Sequence, residues 1–256
     1  MSAEKNSIKV IDRDTIKYIA AVPMIIGHFV SAFIEHGLLE SNTLWTVLTA
    51  LSCFAPPVFF FSISDGYLYT RSKKQYALRL LVFAVITQVP FILLHYGTDF
   101  TLSDLRNLNV FFTLFAGLVA IIIWESKAKL SLRIAGVILI DLITFALECE
   151  WMIFGVPIIL GLHIFRESPK KRFIFFAVCA VTMQYISWGM SIYILLSPGF
   201  ITGTLSMLAS YFFRTAFYNG KKGNHPVFAK WFFYIIYPLH LAAEYIIVLI
   251  YQLKRY

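Results

Sequence analysis

The sequence predicts an all-α fold, a polytopic integral membrane bundle of about nine transmembrane helices (eight to ten). Three observations predict it. Of 256 residues, 59% are hydrophobic and only 14% are charged, and mean hydropathy is +0.74. The apolar residues fall into long runs separated by short polar breaks. The basic residues collect in every second break. A soluble domain runs nearer half apolar and about a quarter charged, and this chain packed in water would leave apolar side chains uncovered. A soluble enzyme, a disordered chain and a secreted disulfide scaffold are thereby excluded. At roughly 20 residues per crossing, the helices fill the chain as a single transmembrane domain over residues 1–256, so any chemistry lies inside the bundle or at its edge.

The helices follow from the breaks between them. Residues 16–37 begin at the end of a polar stretch of 17 residues, MSAEKNSIKVIDRDTIK, which does not resemble a cleavable signal peptide, and stop at Gly37. The run 44–65 stops at Asp65-Gly66, and 76–96 opens after Arg71, Lys73 and Lys74 and stops before Gly97. Residues 109–125 begin at Asn109, 131–149 follow Lys127 and Lys129, and 151–166 follow a tight hairpin at Glu148 and Glu150. Residues 172–196 and 199–217 are divided by Ser-Pro-Gly, and 229–252 form the last helix. Cys53, Cys149 and Cys179 are far apart, form no CxxC pair and read as apolar filler.

Charge supports this count. With the N-terminus cytoplasmic, alternation places 19 of the 22 basic residues in inner segments, leaving Arg106, Lys254 and Arg255 outside. The inner group runs from Lys5, Lys9, Arg13 and Lys17 to Arg214, Lys221, Lys222 and Lys230. The net charge of +8 is therefore a topology signal suited to anionic membrane lipids, and no nucleic-acid partner is expected.

Ionisable groups within apolar spans are costly and mark candidate sites. Here they are His28, Asp65, Arg79, Asp141, His240 and Glu244, with Lys17 and Arg214 near inner ends. Lys17 and His28 lie eleven residues apart, about 16 Å of rise at nearly the same angle. One stripe of the first helix thus carries Asp14, Lys17, Met24 and His28, with Gly27 beside it. Such a stripe suits an anionic cofactor entering from the cytoplasm, with Lys on phosphate and His as proton acceptor at its reactive end. A snorkelling Lys above a carbonyl-bonded buried His fits the same spacing. His240 falls at a similar depth, with Pro238 and Glu244 close in sequence; it reads equally as part of a reaction centre or as packing. Asp65, Arg71 and Arg79 belong to a polar inner segment, where Arg79 either binds phosphate or pairs with Asp65. Arg106, Asn107, Asn109, Glu148 and Glu150 form an outer rim able to receive an acceptor. No nucleotide-binding, zincin or hydrolase motif is present, and no metal is expected.

Six segments then suggest a family. IKYIAAVPMIIGHF resembles the first helix of the TraX family, whose members carry a His at that position. FFFSISDGYLYTRSKKQYALRLLVFAVITQVPF, LNVFFTLFAGL, EWMIFGVPIILGLHIFR, YNGKKG and KWFFYIIYPLHL continue the resemblance in family order. The family is associated with N-terminal acetylation of pilin and is similar to the larger transmembrane acyltransferase group, in which a basic residue, ten intervening residues and a His mark the first helix. Lys17 and His28 meet that pattern, with Lys where Arg is usual; Asp65 stands where relatives carry Glu.

The resemblance implies a membrane-embedded acetyltransferase. Acetyl-CoA would enter from the cytoplasm with its phosphates near Lys17, Arg71 and Arg79. His28, His240 and Asp65 form the expected catalytic set, and Asn109 and Glu150 the expected acceptor-binding set. His28 would act as a base or form an acetyl-His. The acceptor, an amine or hydroxyl, would be a peptide N-terminus, a glycan or a small secreted molecule. The expected location is the cytoplasmic (inner) membrane of a bacterium. A proton-coupled transporter or channel is the competing expectation, without an inverted repeat to support it, and a structural subunit glued by its polar residues is a third.

Overall fold

A computed structural model describes residues 9–254; Lys5 and Arg255 lie outside the described residues. The helices are α1 (Arg13–Glu35), α2 (Thr43–Leu51), α3 (Ala55–Tyr69), α4 (Lys73–Tyr96), α5 (Val110–Trp124), α6 (Leu130–Ala146), α7 (Met152–Ile164), α8 (Pro169–Ser187), α9 (Pro198–Phe217) and α10 (Pro226–Leu253). Among the described residues there is no β-strand, only one isolated bridge between Ile11 and Tyr218.

Four spans are long and apolar enough to cross a membrane: Arg13–Glu35, Thr43–Tyr69, Lys73–Tyr96 and Val227–Leu253. Val110–Trp124 and Met152–Ile164 are shorter apolar helices. The chain is a helical membrane protein.

One sequence expectation needs correction. The run 44–65 lies in one span, Thr43–Tyr69, which tightens to a 3-10 turn at Ser52–Phe54, just before Pro56 and Pro57, whose missing N–H groups suit a helix start. The run 172–196 ends as α-helix at Ser187. Gly189 and Met190 then take positive φ, 106° and 54°, and a 3-10 turn covers Ile192–Leu196. An apolar run reports burial in lipid or core whether its backbone is helical or turned, which is why hydropathy missed both turns.

Packing places α3 centrally, against α1, α5, α7 and α9. Around it the sequence α1, α10, α4, α5, α7, α8, α9, α2 closes on α1. Small residues permit the closest approaches. Gly117 of α5 faces Ile159 of α7, and Gly155 of α7 faces Thr113 of α5, with no room for a Cβ at either. Helix α6 packs mainly on α5 and α7. Thr144 is its single buried residue, while Ile138, Leu139 and Leu142 are exposed, the arrangement of a helix whose outer surface meets lipid.

The start of α1 is tied to the loop after α9. Asp12 caps α1 by accepting from the Asp14 and Thr15 N–H groups, at 3.0 and 2.8 Å. Main-chain bonds link Ile11 to Phe217 and Asn219, and Arg13 to Lys221. The Gly223 N–H donates to Asp14 Oδ2 at 3.2 Å. These contacts bring the basic YNGKKG loop onto the N-terminal end of α1, the basic end of the bundle.

Candidate active site

The α1 stripe faces a cavity of about 560 Å³ enclosed mainly by α1, α3, α4, α5 and α10. Asp14, Lys17, Met24 and His28 all line it, as the helical period requires of residues at these spacings. Its basic mouth gathers Lys17, Arg79 of α4, Lys222 of the pinned loop and Lys230 of α10. Arg13 also lines the mouth, with its Nε on Asp14 at 3.1 Å. Lys17 Nζ stands 5.3 Å from the centre of the Phe233 ring, and Arg79 lies over Tyr76 at 5.8 Å. The buried Nε of Arg79 has no hydrogen-bond partner among the described residues. Gly66 makes this wall possible, because a Cβ there would come within 2.7 Å of the Tyr76 hydroxyl.

Asp65 also lines the cavity, but it pairs with Arg214 of α9 and not with Arg79. That corrects one sequence alternative. The intervening helices bring α9 beside α3, a neighbour that local sequence could not reveal. Arg214 is further fixed over Tyr218, 3.6 Å from its ring centre. Arg71 is exposed and does not line the cavity. It sits on the turn between α3 and α4, where the chain has already left the mouth.

At the other end of the cavity His28 is half-buried and makes no hydrogen bond to the described residues. Three rings surround it. His240 lies 5.4 Å away centre to centre, Tyr237 5.9 Å and His95 6.4 Å. His240 Nδ1 bonds the Ile236 carbonyl at 2.9 Å, so that nitrogen is the donor and the neutral ring presents Nε2 as a free acceptor. Among the described residues that buried Nε2 has no hydrogen-bond partner, and neither carboxyl oxygen of Glu244 has one. His95 Nδ1 bonds Glu35 Oε2 at 2.7 Å. The sequence reading placed His240 correctly at the depth of His28 but missed His95, Glu35 and Tyr237. A titratable residue in the apolar run ILLHY was the available signal for His95.

Glu150 closes this end. Its Oε2 accepts from the Tyr237 hydroxyl at 2.7 Å and the Val110 N–H at 2.6 Å. The Glu150 N–H donates to the Leu108 carbonyl at 2.8 Å, and its own carbonyl receives the Thr113 hydroxyl. The hairpin that aims it inward contains three non-glycine residues with positive φ: Glu148, Trp151 and Met152. Such conformations are costly and persist where surroundings enforce them. Trp151 then packs edge-on against Phe60 of α3, with ring centres 5.4 Å apart.

Asn109 does not belong to this lining. It is fully buried; its Oδ1 accepts from Phe111 N–H at 3.0 Å, and its Nδ2 donates to Ala84 O and Gln88 Oε1, each at 2.8 Å. The residue caps α5 and locks it to α4, and it stands outside the cavity lining. Asn109→Ala should therefore cost about 2 kcal/mol of stability and leave ligand KM values unchanged in the folded fraction. An unchanged melting temperature with a raised acceptor KM would return Asn109 to the site.

Asp141 and His163 lie elsewhere. Asp141 is on α6 with an unpartnered Oδ1. His163, absent from the sequence candidates, holds α7 to its neighbours through Glu125 at 2.9 Å and Ser64 at 3.4 Å. Cys53, Cys149 and Cys179 are free thiols.

The arrangement provides a cationic entrance, an enclosed passage and an unengaged imidazole at its end. Comparison with known proteins gives two findings. Residues 12–248 match the family described as TraX protein. The chain is 27% identical over 241 residues to a probable fimbrial assembly protein FimC, serogroup H1, of Dichelobacter nodosus, covering 89% of this chain and 91% of that relative. No solved structure matches.

Proposed function

Since the chain belongs to the TraX family, we propose that it is a membrane-embedded acetyltransferase that moves an acetyl group from acetyl-CoA to an amine or hydroxyl acceptor. The carrying observation is the single cavity that joins the cationic mouth at Lys17 to the unengaged ring of His28. The α1 rise between these residues is about 16 Å, a span suited to an extended pantetheine arm, with the phosphates left among the cations. The fimbrial relative favours a pilin-related acceptor. The charge pattern favours a cytoplasmic basic end in a bacterial inner membrane.

In this reading Lys17, Arg79, Lys222 and Lys230 hold the donor's anionic part. Among the described residues none of these four has a carboxylate within ion-pair distance, so the field at the mouth is available to a ligand. The acceptor's nitrogen or oxygen attacks the thioester carbonyl. A C–N or C–O bond forms, the C–S bond breaks and its electron pair leaves on sulfur. His28 takes the proton from the attacking atom and returns it to the departing thiolate. His240, one ring away, offers Nε2 as a second proton acceptor, while Tyr237 and Glu150 fix the far wall.

The mouth residues supply a test that needs no acceptor. Acetyl-CoA binding to detergent-purified protein should weaken steadily with added salt. Lys222→Ala and Lys230→Ala should each weaken it several-fold and flatten that dependence. Binding indifferent to both substitutions and to salt would remove the donor from this mouth.

A further inference from the structure

A second cavity, of about 240 Å³, lies between α2 and the end of α8. It adjoins the first: Ser52 and Met183 line both. Ser52 lies against α1 at Gly27, the residue before His28, where a Cβ would collide with it. The two spaces therefore meet at the depth of the reactive histidine.

This second space contains polar groups that the protein itself satisfies poorly. Gln184 is 2% exposed. Its Oε1 accepts from Trp188 Nε1 at 3.1 Å, which orients the amide. Its Nε2 then donates only to sulfur, Cys53 Sγ at 3.3 Å and Met207 Sδ at 3.6 Å. Sulfur is a weak acceptor, and a buried amide donor left with sulfur calls for an explanation. The buried Thr49 Oγ1, on the same lining, has no hydrogen-bond partner among the described residues. Gly203 packs directly on the Gln184 amide, where a Cβ would stand 2.9 Å from Nε2, so the amide is held in place from behind.

The geometry points to the second cavity as the acceptor's binding site, with Gln184 Nε2 donating to a carbonyl oxygen beside the attacking amine. This inference rests on the acetyltransferase reading and adds where the acceptor sits and what it must carry. Ala50, Cys53, Met183 and Trp188 give the walls their apolar part, and Thr49, Ser52, Gln184 and Ser187 their polar groups, among which the Gln184 amide donor is underused. A chain end with one carbonyl next to its amine fits, its carbonyl on Gln184 and its nitrogen past Ser52 towards His28. Donor and acceptor then approach His28 from different cavities.

Two amines of similar size separate the idea from its alternatives. Glycinamide carries the adjacent carbonyl and ethylamine does not. The wild-type protein, given acetyl-CoA, should acetylate glycinamide with a KM at least tenfold below that for ethylamine. Gln184→Leu should raise the glycinamide KM about tenfold and leave the ethylamine and acetyl-CoA KM values unchanged. Equal effects on both amines, or none, would overturn the assignment, as would a wild-type protein that binds acetyl-CoA but acetylates neither.

If Gln184→Leu fails to fold, Cys53 reports on the same space. In a Cys149→Ala/Cys179→Ala protein, glycinamide should slow N-ethylmaleimide labelling of Cys53 and acetyl-CoA alone should not. Protection by acetyl-CoA and not by glycinamide would overturn the inference. Absence of acetyl-CoA binding by the wild type is a separate result: it removes the acetyltransferase reading, and Cys53 protection still decides whether the second cavity holds an amine.

Discussion

His28→Ala should lower acetyl transfer by about 10²- to 10⁴-fold, the usual contribution of a positioned acid–base group. The folded protein should survive. His28 makes no hydrogen bond to the described residues and faces the cavity, so its removal leaves no buried partner stranded. His240→Ala has a different cost, because that ring is buried and bonded to Ile236; its stability should fall together with its rate. Initial rates and melting temperatures of both variants check the contrast. Full activity in His28→Ala would end the role assigned to it.

The second large effect concerns Asp65 and Arg214. Their side chains are 25% and 11% exposed, and Arg214 is also wedged against Tyr218 and Phe61. Arg214→Leu should destabilise the protein by about 3 kcal/mol, because a carboxylate in a largely buried setting loses its counter-ion. Adding Asp65→Asn removes that stranded charge and should recover most of the loss, a coupling that a double-mutant cycle measures directly. The same four proteins test catalysis. If Asp65 serves only to join α3 and α9, the stability-recovered double variant should regain transfer; if Asp65 touches the reacting groups, as the family resemblance implied, the double variant should be stable and inactive. Additive stability losses would contradict the pairing itself.

The contrast between these two residues explains what was legible in the sequence. Lys17, Met24 and His28 share one helix, and helical periodicity alone fixes their common face, so the cavity wall they form could be read before any contact was known. Asp65 was recognisable as an expensive group in an apolar run, but its partner is 149 residues away. Pairings across that distance are set by how helices pack, and apolar membrane sequences carry little register information beyond small residues. Lys222 and Lys230 were read as topology charges for the same reason. The ties of Ile11, Arg13 and Asp14 to the loop after α9 bring Lys222 to the mouth. Tyr237 was hidden by its apolar body, which suits an apolar run; its hydroxyl becomes informative only once Glu150 is beside it. Asn109 was ambiguous in the opposite sense. A polar residue at an apolar boundary fits a binding rim and a helix cap equally; here Oδ1 caps α5 and Nδ2 bonds α4.

The helix count was equally two-sided. Charge alternation anticipated where the chain reverses, yet the 3-10 turns at Ser52–Phe54 and Ile192–Leu196 lie inside apolar runs and leave no trace in hydropathy. The first turn matters for function. At this turn Ser52 lies against Gly27 and Cys53 beside Gln184.

The central claim is that the donor enters at the basic end and presents its acyl group to His28. Acetyl-CoA affinity of wild type, Lys17→Ala and His28→Ala, measured side by side by calorimetry in detergent, tests it most directly. Lys17→Ala should weaken binding at least tenfold, and His28→Ala should hold the wild-type affinity within a factor of about three, because in this account the phosphates meet Lys17 and the thioester lies about three helical turns further along α1. Equal affinity in all three proteins, or no binding in the wild type, would contradict the placement of the donor.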